Sequence, residues 1–135
     1  MTEHRKFAAL WRARIKRAAF WCFWPAMAVV IWGELAGPPQ QDFPQFLLWD
    51  KAQHFTAYFG LALLAALGWG RHIRASLILG AILFLGGALE ILQAYVGRDA
   101  QWLDMGANTL GAVSGLGLGF LLLQAARLVD ARHRD

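Results

Sequence analysis

Cysteine, acidic charge and strand patterning are what this sequence has least of. It has one cysteine, Cys22, so no internal disulfide can form. Cys22 lies in a Trp- and Phe-rich stretch and reads as a small apolar residue. Charged residues are 16% of the chain, against about a quarter in soluble domains. No stretch alternates polar and apolar residues as a half-buried strand does. No glycine-rich loop follows a strand, which excludes the usual phosphate cradle. Thr56 and Thr109 lie near polar residues, but neither sits in a nucleophile elbow. Asp50, His54 and Glu90 would make a one-histidine, two-carboxylate set, yet their spacing matches no established motif. No metal and no cofactor are therefore expected.

What is present is apolar. Of 135 residues, 58% are hydrophobic, seven are Trp, and the mean hydropathy is +0.39. A chain this short and apolar points to one small membrane domain. The net charge of +4 is unevenly placed. Six of the thirteen Lys/Arg fall in the first seventeen residues: Arg5, Lys6, Arg12, Arg14, Lys16 and Arg17. Such a cluster invites a nucleic-acid reading. An apolar segment starts at Ala18, so the cluster reads instead as a juxtamembrane flank, and no nucleic-acid partner is expected. A cleaved signal peptide over 1–36 is disfavoured, because Glu34-Leu35-Ala36 puts an acid where cleavage wants a small residue.

Residues 5–17 place Phe7, Leu10, Trp11 and Ile15 at helical spacing among Arg and Lys, which predicts a basic amphipathic helix on an anionic surface. A disordered basic tail is the alternative. Four apolar stretches follow, over about 18–36, 52–70, 73–96 and 102–126. Each approaches the roughly 20 residues needed to span a bilayer. Pro25 lies inside the first and can kink it. The expected fold is thus all-α: four transmembrane helices, an N-terminal amphipathic leader over 1–17, and a charged tail over 127–135. Eleven of the thirteen Lys/Arg fall on the side shared by the N-terminus, the 71–74 turn and the tail. The positive-inside rule puts both termini in the cytoplasm of an inner-membrane protein. The 37–50 loop and the 97–101 turn then face outward.

Polar residues recur at helical spacing inside these runs. Asp50, His54 and Tyr58 share one helix face, and Glu90 and Gln93 share another. Asp104 and Asn108 lie on the stripe that continues to Gly111, Gly115 and Gly119. Small residues at this spacing let helices approach closely. The stripe would serve packing within the chain or a homo-oligomer face; since one chain already supplies four helices, the first use is preferred. Glu90 and Asn108 each lie roughly 9 Å below the outer helix ends, at 1.5 Å per residue. Ionisable side chains facing lipid are costly. A polar cleft open to the outside, bounded by the second, third and fourth helices, is the cheaper arrangement.

Each residue also has a plainer role. Asp50 could be only a helix cap and Asp104 only a first-turn acid. Glu90 could pair with Arg98 or Lys51 to lock helices together. Arg98 and Lys51 are the cations available to an anionic head group. Tyr58 could be a hydrogen-bond partner or an interfacial aromatic.

Asp50-Lys51-x-x-His54-Phe55-x-x-Tyr58-Phe59, then Glu90-x-x-Gln93, then Gly97-Arg98 followed by Asp104, Asn108, Gly111 and Gly115, resemble the VanZ-like family over about residues 48–120. The resemblance implies a small multi-helix membrane protein. The family's named member is associated with low-level resistance to teicoplanin, a lipid-tailed glycopeptide. The expected function is a cleft that binds the head group of an amphiphile: an anionic lipid, a lipid-linked envelope precursor or a lipoglycopeptide. Its ligand-binding set is Asp50, Lys51, His54, Tyr58, Glu90, Gln93, Arg98, Asp104 and Asn108. Two alternatives stay open: an enzyme using His54 and Glu90 as acid and base, and an assembly module whose polar layer is interhelical glue.

Overall fold

The computed structural model describes residues 3–36, 44–70, 72–96 and 101–132. Among them are four helices and no strand: α1 (Glu3–Ala36), α2 (Pro44–Trp69), α3 (Ala75–Tyr95) and α4 (Trp102–Arg132). Three segments are long and apolar enough to cross a membrane: Ala9–Ala36, Ala75–Tyr95 and Trp102–Val129. The protein is a multi-pass membrane protein. Its outer face fits that solvent, with Trp32, Phe84, Tyr95 and Leu121 exposed.

The main boundary differences are in two helices, while α4 runs past residue 126 to Arg132, through most of the expected tail. The basic leader and the first apolar stretch form one helix, α1, which runs on through Pro25. No glycine or proline lies between residues 5 and 18, and Ala, Leu, Arg and Lys all favour helix, so nothing in the sequence ends the helix there. At 34 residues α1 is about 50 Å long, which exceeds the roughly 30 Å hydrocarbon core. The second difference is that α2 starts at Pro44 rather than near Ala52. Proline is well suited to the first helical position, where its missing N–H is no loss.

α2 is the central helix and packs against α1, α3 and α4. Tyr58, Leu61, Ala62, Ala65 and Ala66 along it are buried. It is not among the three strongly apolar helices, and its position explains why. Protein rather than lipid covers much of its surface, so Asp50, Lys51, His54 and Tyr58 can be housed there. The core around it is built from small and branched residues: Ala62, Ala65, Ala66, Ile78, Ile82, Ala112 and Leu116.

α2 and α4 run in the same direction and approach through the glycine stripe. A Cβ at Gly111 would strike the Phe55 carbonyl oxygen, one at Gly115 the Phe59 carbonyl oxygen, and one at Gly119 the Ala66 Cβ. The stripe is therefore occupied within the chain, which leaves the homo-oligomer use of it no free surface. At the far end, Phe20 and Phe23 of α1 pack on Trp69 with ring centroids 4.9 and 5.0 Å away. There the backbone N–H groups of His72 and Ile73 donate hydrogen bonds to the Trp69 carbonyl, at 2.7 and 3.0 Å, in the turn to α3. Lys16 reaches His72 Nε2 at 2.7 Å.

Gly115→Ala should destabilise the bundle by about 1–3 kcal/mol, because the obstacle is backbone and cannot swing aside. Gly117→Ala on the opposite side of α4, where a Cβ meets nothing within 4 Å, should not. Thermal melts of the two variants in one detergent check this.

Candidate functional site

The polar side chains gather at the end of the bundle that carries Asp50, Tyr95 and Trp102, opposite the Trp69 cluster. Helical spacing brings them there. His54 and Tyr58 are one turn apart on α2, and Asp104 and Asn108 one turn apart on α4. Because α2 and α4 are parallel and in close register, these two pairs meet side by side. Buried with them are Glu34, Glu90 and Gln93.

His54 is at the centre. Its Nδ1 is 3.0 Å from Asn108 Oδ1. An amide oxygen only accepts, so Nδ1 carries the donated proton. Glu34 Oε1 lies 3.6 Å from the same nitrogen. On the other side of the ring, Nε2 faces Asp50 Oδ1 and Asp104 Oδ2, each at 3.9 Å. That is beyond hydrogen-bond reach.

Lys51 closes the site toward the helix ends. Its ammonium donates to Asp104 Oδ1, to Asp50 Oδ2 at 3.1 Å and to Gln101 Oε1 at 2.9 Å. Asp104 is 1% exposed and Lys51 20%, so this is a largely desolvated pair. The three acceptors match the three donors of an ammonium. Deeper in, a Cβ on Gly86 would lie 3.2 Å from the Tyr58 hydroxyl and 3.3 Å from Asn108 Nδ2. The absent side chain of Gly86 thus lets α3 close over the polar residues of α2 and α4.

α3 contributes in two directions. Gln93 donates to the Glu34 backbone carbonyl at 3.1 Å and ties α3 to α1. Glu90 also borders a groove between α3 and α4, with a volume of about 900 Å³. Phe84, Gly87, Ile91, Tyr95, Trp102 and Met105 line it, with Glu90 and Gln101 as its polar residues. Neither Glu90 carboxylate oxygen has a hydrogen-bond partner. The Gln101 backbone amide interacts with the carboxylate without completing one.

Of the expected set, Asp50, Lys51, His54, Tyr58, Gln93, Asp104 and Asn108 converge as anticipated in depth. Glu90 is at the same end but is not within ion-pair distance of either His54 or Lys51. The expected His54–Glu90 acid–base pair and Glu90–Lys51 lock are not formed. Arg98 and its turn lie outside the described residues. Two members were not anticipated in the set. Glu34 enters the sequence reading only as an acid that disfavours signal cleavage, yet it is 8% exposed and faces His54. Its sequence signal is an acid ending an apolar run, at the depth of the other polar residues. Gln101, just before α4, was read as turn and holds Lys51.

No protein-family model, curated protein or solved structure matches this chain. The site's chemistry therefore rests on its own geometry. Among the described residues, three carboxylates (Glu34, Asp50 and Asp104) lie around one lysine and one histidine, with Glu90 nearby, so the site is richer in acceptors than in cations.

Lys51→Met should cost about 3–5 kcal/mol, since it strands Asp104 as a buried unpaired charge. Adding Asp104→Asn to that variant should recover a large part of the loss. Equilibrium unfolding of both variants in detergent checks the pair.

Proposed function

We propose that this chain is a VanZ-like protein of the inner membrane that binds an amphiphile, with the chain of the ligand in the α3–α4 groove and its head group at Glu90 and Gln101. In this reading all four helices cross the bilayer, with α2 enclosed by the others. Both termini are cytoplasmic, on the side that holds eleven of the thirteen Lys/Arg. The first turns of α1 emerge from the hydrocarbon as a basic, partly amphipathic extension. The polar end, with Tyr95 and Trp102 exposed as interfacial aromatics, then lies toward the outer leaflet.

One observation carries the proposal: a buried carboxylate with no hydrogen-bond partner on either oxygen, on a residue that borders an otherwise apolar groove. An unsatisfied buried carboxylate is expensive. A ligand that donates hydrogen bonds removes that penalty, and its hydrocarbon chain suits the remaining lining. The donors of Lys51 are already engaged by Asp50, Gln101 and Asp104. The head group that fits best therefore offers hydroxyl or amide donors, as the sugar of a lipid-linked envelope precursor does, rather than bare negative charge. By resemblance, a lipoglycopeptide of the teicoplanin type belongs to the same chemical class.

The enzymatic alternative keeps one observation in its favour. His54 is oriented through Nδ1 by Asn108, which leaves Nε2 as the nitrogen that would exchange a proton. Its carboxylate partners are then Glu34, Asp50 and Asp104 rather than Glu90.

Native mass spectrometry of gently extracted protein should show one specific amphiphile bound. Ala88→Phe, which fills the groove, and Glu90→Leu, which removes its acceptor, should each abolish the adduct while the fold persists. An adduct of unchanged occupancy in both variants would refute the proposal. Complete absence of adducts, with Glu90→Leu less stable than the parent, would favour the interhelical-glue reading.

A further inference from the structure

The geometry points to a second site, independent of the groove: a divalent transition-metal ion held by Asp50 Oδ1, His54 Nε2 and Asp104 Oδ2. One ligand atom from each of these residues lies within 4.8 Å of the other two. The two edges from Nε2 are both 3.9 Å. Around a first-row ion with bonds of about 2.0–2.2 Å, ligand atoms in a tetrahedral shell are about 3.3 Å apart. Small side-chain rotations from the observed positions reach that spacing. The same 3.9 Å is too long for hydrogen bonding, so the three groups converge without satisfying one another.

Two features set this cluster apart from a chance meeting of acids. The first is His54, whose side chain is 7% exposed and whose Nε2 makes no hydrogen bond. That nitrogen, aimed between two carboxylates, is an unpartnered polar atom pointing into the site. Its orientation is fixed from behind, because Nδ1 donates to Asn108 at 3.0 Å. Metal-bound histidines use their second ring nitrogen in this way. The second feature is the division of labour between oxygens. Lys51 binds Asp50 Oδ2 and Asp104 Oδ1, whereas Nε2 faces Asp50 Oδ1 and Asp104 Oδ2. The ammonium thus holds both carboxylates in place from one side while their other oxygens face the imidazole.

The ligand set selects the ion. An imidazole with two carboxylates suits Zn²⁺, Mn²⁺ or Fe²⁺ better than Ca²⁺ or Mg²⁺, which prefer all-oxygen shells. Charge agrees: two carboxylates and one ammonium leave a net −1 beside the ion. Three protein ligands leave a further position for water or for an oxygen of a bound molecule. The set that the sequence offered, with Glu90 as the third ligand, does not form, and no metal was expected from it; Asp104 from α4 takes the place of Glu90. The amphiphile groove and the ion site do not require each other.

The test uses the full-length protein in detergent, stripped with a chelator and titrated with Zn²⁺ or Co²⁺ alone. One ion per chain should bind, and Zn²⁺ should raise the melting temperature until chelator is added, because the ion binds the folded state. His54→Ala should abolish both effects. Asn108→Ala, which removes no ligand, should weaken binding by about 10–100-fold at unchanged stoichiometry. Glu90→Leu should leave the stoichiometry unchanged even where the amphiphile is lost. Asp104→Asn should bind at least about 10-fold more weakly. If that variant does not fold, nitrogen coupling in the electron paramagnetic resonance spectrum of bound Cu²⁺, present in the parent and lost in His54→Ala, carries the test. No saturable uptake by the parent, wild-type affinity in His54→Ala, or Cu²⁺ without nitrogen coupling would each overturn the assignment and leave an imidazole held only by its carboxylates.

Discussion

Everything at the polar end depends on how closely α2 and α4 approach. Gly111 and Gly115 leave no side chain between the α4 backbone and the carbonyls of Phe55 and Phe59. In lipid there is no hydrophobic gain from bringing helices together, so close van der Waals contact of this kind supplies much of the association. The contact also fixes register. Once Phe55 sits on Gly111, His54 is set beside Asn108 and Lys51 beside Asp104. A slip of one residue would separate all three pairs together.

The polar layer in turn restricts what α2 and α4 can do. A buried ion pair adds little net stability over apolar packing, but it penalises every arrangement that breaks it. Lys51 and Asp104 therefore act on specificity, and their neighbours extend the same logic to α1 and α3. Gln93 binds a main-chain carbonyl of α1, a partner that survives side-chain substitution at Glu34. Glu90 stands apart from this scheme. It shares the depth of the others but borders the groove, and no side chain within hydrogen-bond distance balances it.

The helices were legible in the sequence because apolar runs and their breakers are local properties. The depth of the polar residues was legible for the same reason, since rise per residue converts position into height. Rotation was not. The spacing of Glu90 and Gln93 shows that they share a face, but not which neighbour that face meets; Gln93 reaches α1 while Glu90 borders the α3–α4 groove. Partner identity around His54 was illegible too. Asp104 and Glu34 are 50 and 20 residues away in sequence, and only packing selects them over Glu90. The glycine stripe was the exception, a three-dimensional contact announced by spacing alone. The unity of α1 was obscured by composition, because a change from basic to apolar residues resembles a boundary even where the backbone has no reason to stop.

The central position of α2 has a consequence for how the protein is made. The helix that carries most of the polar site is the one least suited to leave a translocation channel by itself. Its short turn to α3, the helix of highest mean hydropathy, ties the two together as a hairpin. Until α4 arrives, however, the α2 backbone at Phe55 and Phe59 lacks its cover. α4 is thus the segment that seals the polar residues away from lipid, and the site is complete only once its glycine stripe has docked on α2.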